Sequence, residues 1–456
     1  MSTNIQKNQI TEGIIWRQLL LFFFPILLGT FFQQLYNTID SVIVGQFVGK
    51  EALAAVGGSS AQIVAFVVGF FTGLSSGASV TIAQFFGAKD SRSANKGLHT
   101  AYAIAAFGGL ILTVSGIILT PFLLEMMNTP ADIVADSAVY LRIYFAGIIF
   151  VLIYNMGSAI LRATGDSKRP LYYLIVCCII NIVLDVLFVI VFHMGVMGVA
   201  VATLIAQAVS AVLVTLKLMR SEGILKLSVK QIRFHGSILK MQLKLGLPTG
   251  FEAILFSITN IAIQSAVNTF GTDTTAAWSA YGKLDAIFWM VSTAFGIAIT
   301  TFVGQNYGAG KMDRVRKSTR VCLLMDFIVS AVLVVFLIAA RFLLFRLFTN
   351  DSHVIEIGCD MLVLITPWYI VYVFIEVIAG ALRGVGNVVV PVVITLLGVC
   401  VLRIAWLAAM LKISPTISAI ILSYPVTWVI TALAFIIYYI YTVSYTHLRA
   451  HETLMN

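Results

Sequence analysis

The chain has 456 residues, of which 60% are hydrophobic and only 11% are charged, and its mean hydropathy is +0.99. Soluble domains carry about 25% charged residues, so this composition excludes a soluble protein and predicts a membrane protein whose function lies in its helices. The net charge of +9 comes from basic residues in short loops without interleaved aromatic residues, so we predict a lipid bilayer and no nucleic acid as the partner.

Twelve apolar stretches are long enough to cross a bilayer, since each crossing needs about 20 residues. No short apolar core with a cleavage site precedes the first stretch, so we expect no signal peptide. The predicted spans are 16–44, 53–83, 98–122, 134–160, 171–192, 196–218, 245–270, 275–303, 321–348, 354–380, 388–411 and 416–442.

The connections between these spans alternate in basic content, as the positive-inside rule predicts for a multi-pass protein. Most of the 29 Lys and Arg residues fall on the side of the N-terminus. An even number of spans brings the C-terminus back to that side. We therefore predict that both termini lie in the cytoplasm.

Two short motifs occur twice at one offset. The segment Gln84–Lys89 recurs from Gln305 to Lys311 and the segment Leu161–Pro170 recurs as Leu382–Pro391, a shift of 221 residues from 84 to 305 and from 161 to 382. Six spans per half give both halves one orientation, which predicts two six-helix lobes related by pseudo-two-fold symmetry.

The predicted lobes are joined by the most basic connection. The boundaries that we expect are 14–220 for the N-lobe, 221–244 for a cytoplasmic linker and 245–442 for the C-lobe. The last residues, 443–456, resemble translated sequencing-adapter read-through, and we interpret them as an artefactual or disordered tail.

Polar side chains share one face in the first and fifth spans. Tyr36 and Asn37 precede Asp40 by four and three residues, and Asn181 precedes Asp185 by four. Two carboxylates with amide and hydroxyl oxygens suit a hard monovalent cation, and a buried carboxylate can equally carry a proton. We interpret this set as an ion site. The alternative is that the carboxylates form helix–helix hydrogen bonds or reach an interface.

Other polar residues in the spans give weaker signals. Thr203 and Gln207 share a face of the sixth span. In the second half, Lys283 could pair with Glu252 or Glu376 as a structural salt bridge, or these groups could contact a substrate. The ionisable residues that we single out in the second-half spans are Glu252, Lys283, Asp285, Asp326, Glu376 and Arg403.

Glycines, cysteines and missing motifs give three further predictions. Gly69, Gly73 and Gly77 form two overlapping G-x-x-x-G steps, which predict close approach of another helix. The five cysteines lie in or beside apolar runs without metal-site spacing, so we interpret them as packing residues. Neither a phosphate-binding loop nor an H-E-x-x-H motif occurs, so we predict that the chain is not an enzyme.

Four short motifs stand out in the first half of the chain. They are Pro25–Gly29 (PILLG), Gln34–Gly45 (QLYNTIDSVIVG), Leu161–Asp166 (LRATGD) and Asn181–Asp185 (NIVLD). Together they resemble the multidrug and toxic compound extrusion (MATE) family of the MOP flippase superfamily, in its prokaryotic DinF-like branch. The resemblance runs from about residue 14 to 440.

This resemblance implies an all-α polytopic protein of a bacterial or archaeal cytoplasmic membrane, with twelve helices in two lobes forming a V-shaped cleft. It implies a monomer without a cofactor, which exports cationic or amphipathic organic compounds in exchange for Na⁺ or H⁺. The alternative within the superfamily is a flippase for lipid-linked oligosaccharide or peptidoglycan precursors, for which only Arg142, Lys283 and Arg403 could meet a pyrophosphate. A membrane-embedded enzyme or sensor is a remote third alternative.

Carried over by position, the family's ion site falls on Asp40, Asn181, Asp185 and Thr203, which would hold the coupling Na⁺ or H⁺. Glu252 and Glu376 lie one and two turns from the acids that other branches use, so the resemblance does not carry over a second cation site. The residues that we expect around the substrate are Tyr36, Asn37, Asn155, Gln207, Glu252, Lys283 and Asp285.

Overall fold

The computed structural model describes the backbone of residues 9–455 and the side chains of residues 10–442, so the side chains of the predicted tail 443–456 lie outside the described residues. Twelve described helices are long and apolar enough to cross a membrane, which confirms the predicted number. We number them α1 Ile15–Phe47, α2 Lys50–Gly87, α3 Ser91–Met126, α4 Val134–Ala163, α5 Lys168–Val191, α6 Gly195–Met219, α7 Gly236–Asn268, α8 Thr272–Gly308, α9 Met312–Arg346, α10 Ser352–Gly384, α11 Val389–Ile413 and α12 Ile417–Thr442.

The turns of the two halves repeat with the same shift as the sequence. Lys89 and Gly310 both have positive φ, 58° and 70°, and so do Gly165 and Gly386, 97° and 89°. The hydrogen bonds repeat as well, because Asp166 N–H donates to Leu161 O at 2.9 Å and Asn387 N–H to Leu382 O at 3.0 Å. The backbone therefore has the same duplication as the sequence.

Contacts between the helices divide the chain into two compact units. The N-terminal unit contains Leu21–Ala253 and Gly308–Gly310, and the C-terminal unit contains Met1–Leu20, Ile254–Tyr307 and Lys311–Asn456. The boundaries therefore fall inside α1 and α7, and the connection between α6 and α7 belongs to the N-terminal unit.

This connection, residues 220–235, is hydrogen-bonded to the first turns of α3. Asn95 Nδ2 donates to the carbonyl oxygens of Ile224 and Lys226, each at 3.1 Å. His99 Nε2 accepts from the N–H of Ser228 at 3.0 Å. Because α7 begins at Gly236, the connection is shorter than a linker that ends at residue 244.

Inside the N-terminal unit, the glycines of α2 pack against the first half of α7. A Cβ added at Gly73 would lie 2.4 Å from Gly250 N, and one at Gly77 would lie 2.4 Å from Gly246 N and from Gln242 O. Real Cβ atoms do not approach backbone so closely, so only glycine fits here. The predicted close approach is confirmed.

Inside the C-terminal unit, the start of the chain is held by basic side chains near the beginning of α9. Arg314 Nη2 donates to the carbonyl oxygens of Ile10 and Gly13, each at 2.9 Å. Lys311 Nζ donates to Thr11 O at 3.0 Å. These bonds satisfy carbonyl groups of a segment that precedes α1.

Many large apolar side chains face outward, as expected where lipid surrounds the helices. Val335 and Leu343 on α9 are each 68% exposed. The packed interior contains aromatic rings, of which Phe288 and Tyr369 stack with centroids 3.9 Å apart. All five cysteines are free and buried, as expected of packing residues.

Candidate functional site

Two carboxylates meet in the interior of the N-terminal unit. Asp40 on α1 is 8% exposed and Asp185 on α5 is fully buried. The side chain of Asp40 interacts with those of Asp185, Asn181 and Thr203. The structure thus brings together all four residues predicted for ion coupling, from α1, α5 and α6.

Most of the polar atoms of this cluster have no hydrogen-bond partner among the described residues. They are Asp40 Oδ1, both carboxylate oxygens of Asp185, and both the oxygen and the nitrogen of the Asn181 amide. Thr203 Oγ1 donates to Asp40 Oδ2 at 3.5 Å, which is longer than the 2.5–3.0 Å of a typical hydroxyl hydrogen bond.

Such an arrangement is costly for the protein alone. Buried polar atoms are almost always hydrogen-bonded, and each unpartnered one costs roughly 1–3 kcal/mol. Two carboxylates side by side also repel each other unless a positive charge lies between them. The oxygens of Asp40, Asp185, Asn181 and Thr203 are donors of the kind that hard cations prefer, so this cluster fits either a monovalent cation or a shared proton.

A second polar pair borders this cluster. Gln207 Nε2 donates to Tyr36 OH at 3.2 Å, and both side chains are buried. Tyr36 lies one turn before Asp40 on α1, and Gln207 lies one turn after Thr203 on α6. Of the other residues expected around a substrate in this unit, Asn155 is half-buried, Asn37 is exposed and Glu252 is buried.

The helix that carries Asp185 changes its winding at this site. A π-helical turn, Val186–Val191, begins directly after Asp185. In α11 a second π-helical turn, Leu396–Val401, ends two residues before Arg403. Such turns are rare and frequently occur at functional sites, because the wider winding re-aims the neighbouring side chains. No sequence signal indicated either turn.

A cavity of about 480 Å³ lies within the C-terminal unit. Seven of the sixteen residues that line it are aromatic, and three charged side chains, Asp285, Glu376 and Arg403, also line it. The aromatic residues are Phe256, Trp278, Tyr281, Trp289, Tyr372, Tyr424 and Trp428.

Asp285 on α8 is fully hydrogen-bonded by its neighbours. Tyr281 OH donates to its Oδ1 at 3.3 Å and Trp289 Nε1 donates to its Oδ2 at 2.7 Å. Tyr369 OH donates to Oδ1 as well. This carboxylate therefore fixes three aromatic side chains around the cavity.

Arg403 on α11 is 3% exposed and lies against an aromatic ring. Its guanidinium carbon lies 4.0 Å from the ring centroid of Tyr424. Its Nη2 donates to Thr427 Oγ1 at 2.9 Å, whereas its Nε has no partner among the described residues. The sequence showed a basic residue in this span but gave no sign of the aromatic residues that α8, α10 and α12 bring around it.

The alternative that Lys283 forms a structural salt bridge with Glu252 or Glu376 is wrong, because Lys283 has no ion pair among the described residues. Glu376 Oε1 instead accepts from Arg383 Nη2 at 2.9 Å. Both residues lie on α10, seven residues apart, so two helical turns place them on one face and the long arginine side chain spans the distance. Lys283 is exposed. The spacing of seven was visible in the sequence and could have indicated the pair.

The sequence matches a known protein family. The MatE family model matches residues 25–187 and 248–408, once in each half. The chain is 30% identical to the probable multidrug resistance protein YoeA of Bacillus subtilis, over 84% of each chain. It is 27% identical to the probable multidrug resistance protein NorM of Thermotoga maritima, over 90% of this chain and 88% of that one.

A solved structure gives the same result for the fold. A MOP superfamily transporter from Pyrococcus furiosus superposes with a TM-score of 0.90, at 20% identity, over 97% of this chain and 99% of that one. The twelve helices of this chain therefore have the fold of that superfamily.

Proposed function

The chain belongs to the MatE family, and from this premise we propose that it is a secondary active antiporter that exports cationic or amphipathic organic compounds in exchange for Na⁺ or H⁺. Two relatives that are named as probable multidrug resistance proteins support export of drug-like compounds. The observation that carries the ion coupling is the buried pair Asp40 and Asp185, whose carboxylates retain three unpartnered oxygens.

The pair acts as the ion switch. Without a cation the two carboxylates repel each other, and the amide of Asn181 has no partner. A Na⁺ ion would be held by oxygens of Asp40, Asp185, Asn181 and Thr203, and a proton would instead be shared between the carboxylates. Either ion draws α1, α5 and α6 together, and a ligand shifts a conformational equilibrium by as much as its affinity differs between the two states.

The organic compound would occupy the space next to this switch. Tyr36 and Gln207 lie one turn from Asp40 and Thr203, so closure of the ion site would move these two side chains. Ion entry and substrate release are then coupled, as alternating access requires.

We place the protein in the cytoplasmic membrane with both termini inside the cell. The connection 220–235 and the turns that contain Lys89 and Lys311 are rich in Lys and Arg, and cytoplasmic loops carry such an excess.

The test is ethidium efflux from energised cells or vesicles, with the Na⁺ gradient and the proton gradient imposed separately. We expect the wild type to follow one gradient. Asp40→Asn and Asp185→Asn should abolish this coupled efflux, because an amide neither binds a cation strongly nor carries a proton. Both variants should fold, since the substitution keeps the shape of the side chain.

The matched control is Asp136→Asn, which changes an exposed carboxylate of the same unit and should leave efflux unchanged. Normal efflux in both switch variants would refute the ion site. Efflux that follows neither gradient, in wild-type protein of confirmed expression, would refute the antiporter.

A further inference from the structure

The cavity of the C-terminal unit has no part in the proposed ion coupling. Its volume of about 480 Å³ lies within the 300–1,000 Å³ that small-molecule sites occupy. Trp278, Trp289 and Trp428 line it together with Tyr372 and Tyr424. Aromatic walls of this kind bind flat rings by offset stacking and edge-to-face contact, so the cavity suits a planar ligand.

The two acids of this cavity are already occupied. Asp285 accepts hydrogen bonds from Tyr281, Tyr369 and Trp289. Glu376 forms an ion pair with Arg383 at 2.9 Å. Arg383 therefore neutralises Glu376, whereas both oxygens of Asp285 already accept hydrogen bonds from neutral donors and its negative charge remains.

Arg403 is the charged group whose N–H donors are not all hydrogen-bonded. Among the described residues no carboxylate lies within 4 Å of it, and of its three nitrogens only Nη2 has a hydrogen-bond partner, Thr427. Asp285 acts on Arg403 as a negative charge at longer range, but a buried guanidinium nitrogen without a hydrogen-bond acceptor is costly. Its planar fork matches a carboxylate, which can accept two parallel N–H bonds.

We propose that this cavity binds a planar aromatic compound that bears a carboxylate. The carboxylate pairs with Arg403, and the ring lies between the tryptophan and tyrosine side chains. This inference goes beyond the proposed function, since it assigns a second ligand site in the C-terminal unit. Binding itself needs no gradient and is measured without one.

The experiment is calorimetric titration of the purified full-length protein in detergent with three ligands of one shape. They are naphthalene-2-carboxylate, the uncharged naphthalene-2-carboxamide and the cationic 2-naphthylmethylammonium. We expect the carboxylate to bind at least about tenfold more tightly than either of the others, since a hydrogen bond to a charged group contributes about that factor or more. Equal affinity for the three ligands would overturn the proposal.

Substitutions test the role of the guanidinium. Arg403→Gln should remove the preference for the carboxylate. Arg403→Lys should keep part of it, because the charge remains and the planar fork is lost. The matched control is Arg341→Gln, which removes another arginine that stacks on a ring, at 4.6 Å from the Phe342 centroid, and should leave the preference unchanged.

The outcomes separate this proposal from the antiporter. If Arg403→Gln does not fold, the affinities of the three ligands for the wild type and for Arg403→Lys still test the proposal. A folded Arg403→Gln variant that keeps the preference would overturn the site. Ion-coupled ethidium efflux without any preference for the carboxylate would overturn this inference and leave the proposed function standing.

Discussion

At the scale of single residues, Asn181 shows how the ion site lowers the stability of the ion-free protein. Its amide is 1% exposed and neither polar atom has a partner among the described residues. An apolar residue of similar size would avoid this cost. Binding sites are commonly less stable than the rest of a protein for this reason. We therefore expect Asn181 to lower the stability of the ion-free protein and to contribute to ion binding.

The variant Asn181→Leu tests both expectations. Leucine has nearly the shape of asparagine but no polar atoms, so the ion-free melting temperature in detergent should stay the same or rise. The wild type should melt at a higher temperature when the coupling ion is added, because a ligand that binds only the folded state stabilises it. We expect the variant to lose this rise.

Two titrations make the measurement specific. Adding NaCl at constant pH and constant ionic strength, with choline chloride as the balancing salt, reports Na⁺ binding, and lowering the pH without Na⁺ reports proton binding. A variant that keeps the full wild-type rise would show that the Asn181 amide does not contact the ion.

At the scale of elements, the contact between α2 and α7 depends on the absence of side chains. Gly77→Ala places a methyl group 2.4 Å from two backbone atoms of α7, so the helices must separate. We expect a loss of roughly 1–3 kcal/mol, as overpacking typically causes, seen as a lower melting temperature and less folded protein in gel filtration. Gly282→Ala, in mid-helix with no atom within 4 Å, is the control and should be neutral or slightly stabilising, because alanine favours the helix over glycine. Equal stability of both variants would contradict the packing described for α2.

The connection 220–235 should respond to pH through His235. Partial burial lowers the pKa of this imidazole, and the nearby charges of Arg233, Lys96 and His99 lower it further. The unfolded state therefore takes up the proton more readily. Docking of the connection is complete above the ordinary histidine pKa of about 6.5 and weakens as the pH falls below it.

Hydrogen exchange of the amides at 224–235, corrected for intrinsic rates, checks this at pH 7.5 and pH 5.5. We expect faster exchange at the lower pH in the wild type and a smaller change in His235→Gln. His353→Gln, in which an exposed histidine is removed, is the control. An unchanged pH response in His235→Gln would assign the effect to another group.

At the scale of the whole molecule, the repeated turns of the two halves predict how exchanging lysine and glycine between them changes the stability of the folded protein. Lys89 has a φ of 58°, a conformation that costs most residues about 1–2 kcal/mol, whereas the other half has Gly310 at the matching turn. Lys89→Gly should therefore stabilise the folded protein by up to about 1 kcal/mol, and Gly310→Lys should destabilise it. Thermal melting of both variants tests this. A destabilised Lys89→Gly would mean that the lysine side chain contributes more than its backbone costs.

Sequence predicted the fold more completely than the sites. Twelve spans and the duplication follow from apolar runs and repeated motifs, because lipid demands long apolar helices. Asp40, Asn181 and Asp185 were found because carboxylates and amides on one helix face are rare in a membrane. The surroundings of Arg403 were missed, since α8, α10 and α12, which are distant in sequence, build them.

The burial of all five cysteines has a practical consequence for spectroscopy. Maleimide dyes react with accessible thiols, so Cys177, Cys178, Cys322, Cys359 and Cys400 should stay largely unlabelled in the folded protein. A single cysteine at an exposed position such as Glu51 or Glu222 can then be labelled selectively, without first replacing the native residues. The transport cycle could be followed by fluorescence in a chain that keeps its own packing.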